Sequence, residues 1–135
     1  KKRALLDRGV LKTFYFDSYY ARKLKRAPTT SGPSNLVFAL GKRDVDGLCA
    51  AAGKAILVTS FLGGNSNSTT GDFSHGIAGF LIEGGKRSRP IGAMNIAGNH
   101  RTFWKKVVEV GNDPYKTSPR ATPSLLISKL VVAGK

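Results

Sequence analysis

Two apolar runs flanking a small, polar stretch restrict the fold of this chain more than any other feature. The first begins as Ala55-Ile56-Leu57-Val58 and gives way at residues 63–74 to GGNSNSTTGDFS. The second climbs through residues 76–82 (GIAGFLI) and ends at Glu83-Gly84-Gly85-Lys86. Apolar strand, small-residue loop, apolar strand and two-glycine turn is the pattern of an antiparallel hairpin. Residues 63–74 are too many for a mere connector, and too rich in Gly, Asn, Ser and Thr for a core. A loop of this kind, held on a rigid scaffold, is where binding is expected.

The remaining segments read as short elements around that hairpin. Residues 11–16 (LKTFYF) carry β-forming side chains and predict a strand. Asp17 or Ser18 caps a short helix over residues 18–25, and the two prolines of residues 28–33 predict a loop. Residues 35–40 (NLVFAL) predict a second strand, apolar on both faces and so central in its sheet. Asp44 or Asp46 opens a helix through Leu48-Cys49-Ala50-Ala51-Ala52, which Gly53 ends. Pro90 stops the strand that starts near Lys86, and residues 91–97 are again extended. Residues 99–110 predict the strongest helix of the chain. Asn99 is its N-cap, Phe103, Val107 and Val110 form one apolar stripe, and Gly111 and Pro114 stop it. Residues 115–123 form a loop, and residues 124–132 (SLLISKLVV) a last strand. The sum is an α+β domain, mainly antiparallel β-sheet with two or three short helices.

With 135 residues, 41% of them hydrophobic, the chain has material for one domain spanning residues 1–135. It opens on Lys1-Lys2-Arg3 without a methionine, which fits a part of a longer protein. No apolar run approaches the roughly 20 residues of a membrane span, and nothing resembles a signal peptide. The lone Cys49 excludes an internal disulfide and a cysteine-based zinc site, so a reducing, cytoplasmic setting is expected. Among alanines on its helix, Cys49 reads as a small buried hydrophobe.

Lysine and arginine number 22 against 8 carboxylates, a formal charge of +14. Such an excess suits nucleic acid, an anionic surface or an acidic partner. The cations are scattered, however, and no block of aromatics interleaves with them to make a stacking platform. Nucleic acid is therefore the less favoured partner.

Catalytic patterns are missing. HExxH, GxSxG and GxxxxGK[ST] do not occur, and His75 and His100 lack a metal-type partner at helical spacing. Asp72, Ser74 and His75 are the residue types of a hydrolase triad, yet packed on one strand edge they cannot converge. What remains is the loop. Gly63 and Gly64 permit close backbone approach, Asn65, Asn67, Ser68, Thr69 and Thr70 supply neutral donors and acceptors, and Gly71-Asp72 closes it with one charge. That chemistry suits a peptide main chain or another subunit. It equally suits an Ω-like loop whose side chains cap its own turns.

Through this loop the chain resembles the C-terminal domain of the TldD/PmbA family, known as modulators of DNA gyrase and microcin-maturation proteins. The resemblance runs through residues 9–24 (GVLKTFYFDSYYARKL), 57–86 (LVTSFLGGNSNSTTGDFSHGIAGFLIEGGK), 89–100 (RPIGAMNIAGNH), 110–114 (VGNDP) and 122–134 (TPSLLISKLVVAG). It implies a cytoplasmic metallopeptidase complex. In that family a TldD-type subunit holds zinc through a helical HExxxH motif and a cysteine near its C-terminus. A PmbA-type (TldE-type) subunit lacks these ligands and pairs with the first, and the pair cleaves unfolded or leader peptides. Between Asp113 and Ser124 this chain has PYKTSPRATP and no cysteine, and TGDFSHGIAGF is closer to the PmbA type. The resemblance thus implies a non-catalytic partner with no cofactor in this chain, the zinc lying in the TldD-type subunit. The pairing is with that subunit or with a second copy. No catalytic or metal residue carries over, and the binding-loop candidates are Gly63, Gly64, Asn65, Asn67, Thr70, Gly71 and Asp72. Two alternatives stay open: a metallopeptidase whose ligands lie outside these residues, and a basic nucleic-acid-binding or gyrase-modulating module.

Overall fold

The computed structural model describes residues 2–134. They form two compact units, one up to Val37 and one from Phe38 onward.

The first unit opens with a minimal hairpin. Strand β1 (Leu6–Asp7) pairs antiparallel with β2 (Val10–Leu11), joined by Arg8 and Gly9 at φ of 47° and 79°. Positive φ at both central residues is what a two-residue hairpin turn matching the strand twist requires. Helix α1 (Ser18–Lys23) follows, with Asp17 as its cap, accepting from the Tyr20 amide at 2.8 Å. The strand expected over residues 11–16 stops at Leu11. Phe16 spends its main-chain groups on Thr29 instead: its amide donates to Thr29 Oγ1 at 2.8 Å, and its carbonyl accepts the Thr29 amide at 3.0 Å. These bonds close a loop around α1, with Ala21 buried inside it. Strand β3 (Leu36–Val37) is all that forms of the expected 35–40 strand, and Val37 is 80% exposed, so it is not a central strand. Apolar composition on both faces is not enough to seat a strand in mid-sheet.

In the second unit, α2 (Val45–Ala52) is capped by Asp44, which accepts from Gly47, and ends at Gly53. Strand β4 (Ala55–Ser66) runs into β5 (Asp72–Glu83), and the Gly84-Gly85 turn leads to β6 (Lys86–Pro90). Strand β7 (Met94–Asn99) follows. The helix expected over residues 99–110 is cut to α3 (His100–Phe103), one 3-10 turn (Trp104–Lys106) and a strand, β8 (Val107–Val110). Val107, Val108 and Val110 are β-branched and stiff in a helix, and β8 finds a partner, so extension wins. Strand β9 (Arg120–Ala121) interrupts the expected loop. The expected last strand is two, β10 (Leu125–Ile127) and β11 (Val131–Gly134), broken where Lys129 takes φ of 52°.

The main sheet is antiparallel, in the order β11-β7-β5-β4, with β6 also on β5. β5 changes neighbours along its length: Asp72 to Ile77 face β7, and Phe80 to Glu83 face β6. A separate pair joins β8 to β10. Phe73, Ile77 and Ile96 make the core, with Ile56, Val58, Ile91, Met94 and Phe103 packed around them. Helix α2 buries Leu48 and Cys49, and burial raises the Cys49 thiol pKa first, with the nearby Asp46 charge adding to it. The β5–β6 turn is fastened to the end of α2: the Gly85 amide donates to Gly53 O at 2.8 Å, and Arg87 meets Asp46 at 3.1 Å. The central hairpin is thus clamped at its base and extends toward its tip.

The hairpin tip and the edge of β4

The expected loop of residues 63–74 is mostly strand. Gly63, Gly64 and Asn65 lie on β4, opposite Gly76, His75 and Ser74. Gly64 takes φ of 145°, and any Cβ there would press on the Ser74 carbonyl and on His75. The true loop holds Asn67, Thr70 and Gly71, and Asp72 is the first residue of β5. Polar composition suggested a longer loop because this end of the hairpin is exposed on both faces, where nothing demands apolar side chains.

The tip is held by its own side chains. Asn67 Oδ1 accepts from the amides of Thr69 (2.9 Å) and Thr70 (3.1 Å), and Gly71 N donates to Asn67 O at 2.7 Å. Asn99, at the end of β7, reaches across and latches it. Its Nδ2 donates to Thr70 O at 3.0 Å and to Asp72 Oδ1 at 2.7 Å, while its Oδ1 accepts from Arg101 N at 2.9 Å. The His100 amide completes the latch on Gly71 O at 2.8 Å. Asn99 was legible as a helix cap; its bond to a loop 27 positions away was not.

Asp72 sits below its ordinary pKa of 3.8, chiefly through the Asn99 amide and then through Thr70. A native pKa below the unfolded one means the unfolded tip takes up the proton first. The latch therefore stabilises the tip above the ordinary value and is lost as pH falls through the lower native value. The expected result is that the Asn99 side-chain amide resonances hold steady from neutral pH to about 4 and move only below it. In Asp72→Asn this acid transition should disappear. A midpoint above the ordinary value would contradict the latch.

The hydrolase-type residues do not assemble: no hydrogen bond joins Asp72, Ser74 and His75 among the described residues. The His75 ring packs instead against Phe61 (5.7 Å) and Phe73 (5.8 Å), and Phe73 also meets His100 at 4.9 Å. Among the described residues no group of three His, Cys, Asp or Glu is placed to hold a metal ion, so no step is assigned to one here. The Gly111-Asn112-Asp113 stretch is structural. Asn112 Nδ2 donates to Lys42 O at 2.8 Å, and the Asp113 carboxylate accepts from the Ser124 amide (3.0 Å) and hydroxyl (2.7 Å).

The edge beside the tip escaped the sequence reading. β4 is a 12-residue strand that pairs only with β5 among the described residues. It bulges between Val58 and Ser60 and again between Phe61 and Gly63, and it presents Phe61 (64% exposed) and Leu62 (68%) to solvent. It contains no charged residue and no proline, the usual protections of an edge. No helix among the described residues is long and apolar enough to cross a membrane.

Fold and site together define an antiparallel-sheet domain with an open edge and a latched hairpin tip, equipped for recognition through backbone. Residues 1–134 match the PmbA/TldA metallopeptidase C-terminal domain, and the chain belongs to that family. It is 31% identical to the metalloprotease PmbA of Escherichia coli O157:H7, over 100% of this chain and 30% of that protein. A PmbA homolog of Buchnera aphidicola is likewise 31% identical, over 99% of this chain and 31% of the relative. Among solved structures, one named as a modulator of DNA gyrase, from Bacteroides thetaiotaomicron, superposes with a TM-score of 0.91 at 47% identity. It covers 100% of this chain and 31% of that one. TldE from Thermococcus kodakarensis shares the fold, with a TM-score of 0.79 at 23% identity, over 96% of this chain and 33% of that one. The chain thus spans about a third of the length of the curated relatives it matches.

Proposed function

We propose that residues 1–135 are the C-terminal domain of a PmbA-type, non-catalytic subunit in a TldD-type zinc peptidase complex of the cytoplasm. In that complex the edge of β4 and the tip at Asn67–Asp72 face an extended peptide or the second subunit. The observation that carries this reading is the unprotected edge. Twelve residues of neutral strand with outward Phe61 and Leu62 invite main-chain pairing, and the latched tip holds that edge in one shape. Self-capping of Asn67 and Asp72 does not oppose the role, because a loop that is already ordered gives up less entropy on binding. Zinc belongs to the TldD-type partner in this proposal.

The test measures zinc content and peptide cleavage by the intact protein, alone and mixed with the TldD-type subunit of the same cell. The expected result is a zinc-free, inactive protein that the mixture needs for cleavage. Replacing Asn65, Asn67 and Asp72 together by alanine should lower subunit pairing or cleavage by about tenfold, and unchanged values for both would end the proposal. The metalloprotease name of the E. coli relative keeps one alternative in play. Stoichiometric zinc in the intact protein would favour it and place the catalytic ligands outside these residues.

A further inference from the structure

The first unit carries an exposed cationic and aromatic surface that the tip and edge do not use. Among residues 2–37, eight Lys and Arg side chains stand against Asp7 and Asp17. Asp7 pairs with Arg8 at 3.6 Å, and Asp17 is engaged as the cap of α1. Arg22, Lys23, Lys25 and Arg26 therefore have no carboxylate partner among the described residues, and all four are exposed.

Backbone geometry supports a reason for keeping this charge. Past α1, Arg26 N donates to Ala21 O at 2.9 Å and Lys25 N to Arg22 O at 3.2 Å, the paired bonds of a helix ending on a left-handed residue. That residue is Lys25, at φ of 52°. Glycine is the usual occupant, and a side chain there costs on the order of 1 kcal/mol. Arg8 takes the same kind of position in the β1–β2 turn, at φ of 47°. Two strained positions in this unit thus carry cations where glycine fits at lower cost.

Aromatic rings share the surface. Tyr19 (64% exposed) and Tyr20 (52%) lie edge to face at 5.2 Å, and Lys23 Nζ stands 5.9 Å from the Tyr19 ring centre. Phe14, 59% exposed, stacks on Phe16 at 6.0 Å. The sequence reading found no aromatics interleaved with the basic clusters; here Tyr19 and Tyr20 sit on the same short helix as Arg22 and Lys23. Cations beside accessible ring faces are the two components of single-strand recognition: phosphates meet the former and bases stack on the latter. An acidic polypeptide would use the cations and leave the rings idle.

We propose that this surface binds single-stranded nucleic acid, with Arg22, Lys23, Lys25 and Arg26 on phosphates and Tyr19 and Tyr20 stacking on bases. The test is fluorescence anisotropy of the intact protein with a labelled oligothymidylate of about 20 nucleotides, and with polyglutamate as competitor. Four phosphate contacts predict an affinity that falls about 50-fold between roughly 50 and 200 mM salt. Replacing the four cations by glutamine should remove that slope. Tyr19→Ala with Tyr20→Ala should weaken binding about tenfold at every salt concentration and leave the slope unchanged. Lys25→Gly relieves the left-handed strain, so it folds at least as stably and should still reduce the salt slope by about 0.7. No binding at low salt would overturn the proposal. So would polyglutamate competing on equal terms while the tyrosine variant binds like the parent, which would assign the surface to an acidic polypeptide.

Discussion

Gly79→Ala is expected to destabilise the domain by about 3 kcal/mol, lowering the thermal midpoint by roughly 10 °C. Gly79 is buried in the middle of β5, opposite Val58, where the first bulge of β4 brings that strand's main chain over it. A Cβ at this position would run into the Leu57 carbonyl and lie 3.1 Å from the Val58 Cα. Backbone cannot swing aside as a side-chain tip can. β4 would have to lift from β5 beside Val58 and Ile77, which belong to the core. The Gly79 carbonyl also receives the Ile91 amide at 3.0 Å, so the disturbance would spread toward β6. Gly32→Ala is the matched control: nothing lies within 4 Å of a Cβ there, and its φ is ordinary. That change should be neutral or slightly stabilising through the unfolded chain. Equal midpoints for the two variants would mean that the hairpin register is wrong.

The parts of this fold that could be read from sequence are those set by local chemistry. The Gly84-Gly85 turn, the Asp44 cap and the Gly53 stop each depend on a few adjacent residues, and each formed. Segments whose state depends on a distant partner were misread. Residues 107–110 fit a helical stripe and a short strand equally well, and Leu125–Ile127 decided for the strand. Residues 12–16 have strong β propensity but no strand to pair with, and Thr29 takes the hydrogen bonds of Phe16. The Arg8-Gly9 hairpin passed unnoticed because arginine is an uncommon occupant of a positive-φ turn position.

The same division holds at the site. Asn67, Thr70, Gly71 and Asp72 announced a polar loop, and a loop is there. Gly63, Gly64 and Asn65 looked like part of it because an edge strand exposed on both faces has no alternation to betray it. The Asn99 latch and the open edge are properties of the assembled sheet. Neither has a signature in any single segment.

That edge supplies the second large prediction. Phe61→Lys with Leu62→Lys should leave the thermal midpoint almost unmoved, since both side chains face solvent and surface changes usually stay within about 0.5 kcal/mol. Cleavage by the mixture with a TldD-type subunit should nevertheless fall steeply. If Phe61 and Leu62 bury against an extended partner, each contributes on the order of 1.5 kcal/mol, or about tenfold in affinity. The lysines also recreate the charge with which natural edges repel an added strand. Val108→Lys provides the comparison: it is 62% exposed on β8, whose pairing runs to β10 and away from the main sheet. It should leave cleavage intact. If the double variant cleaves like the parent, or Val108→Lys loses as much, the edge of β4 is not the docking surface. The latched tip would then remain as the only part of the site for mutagenesis to test.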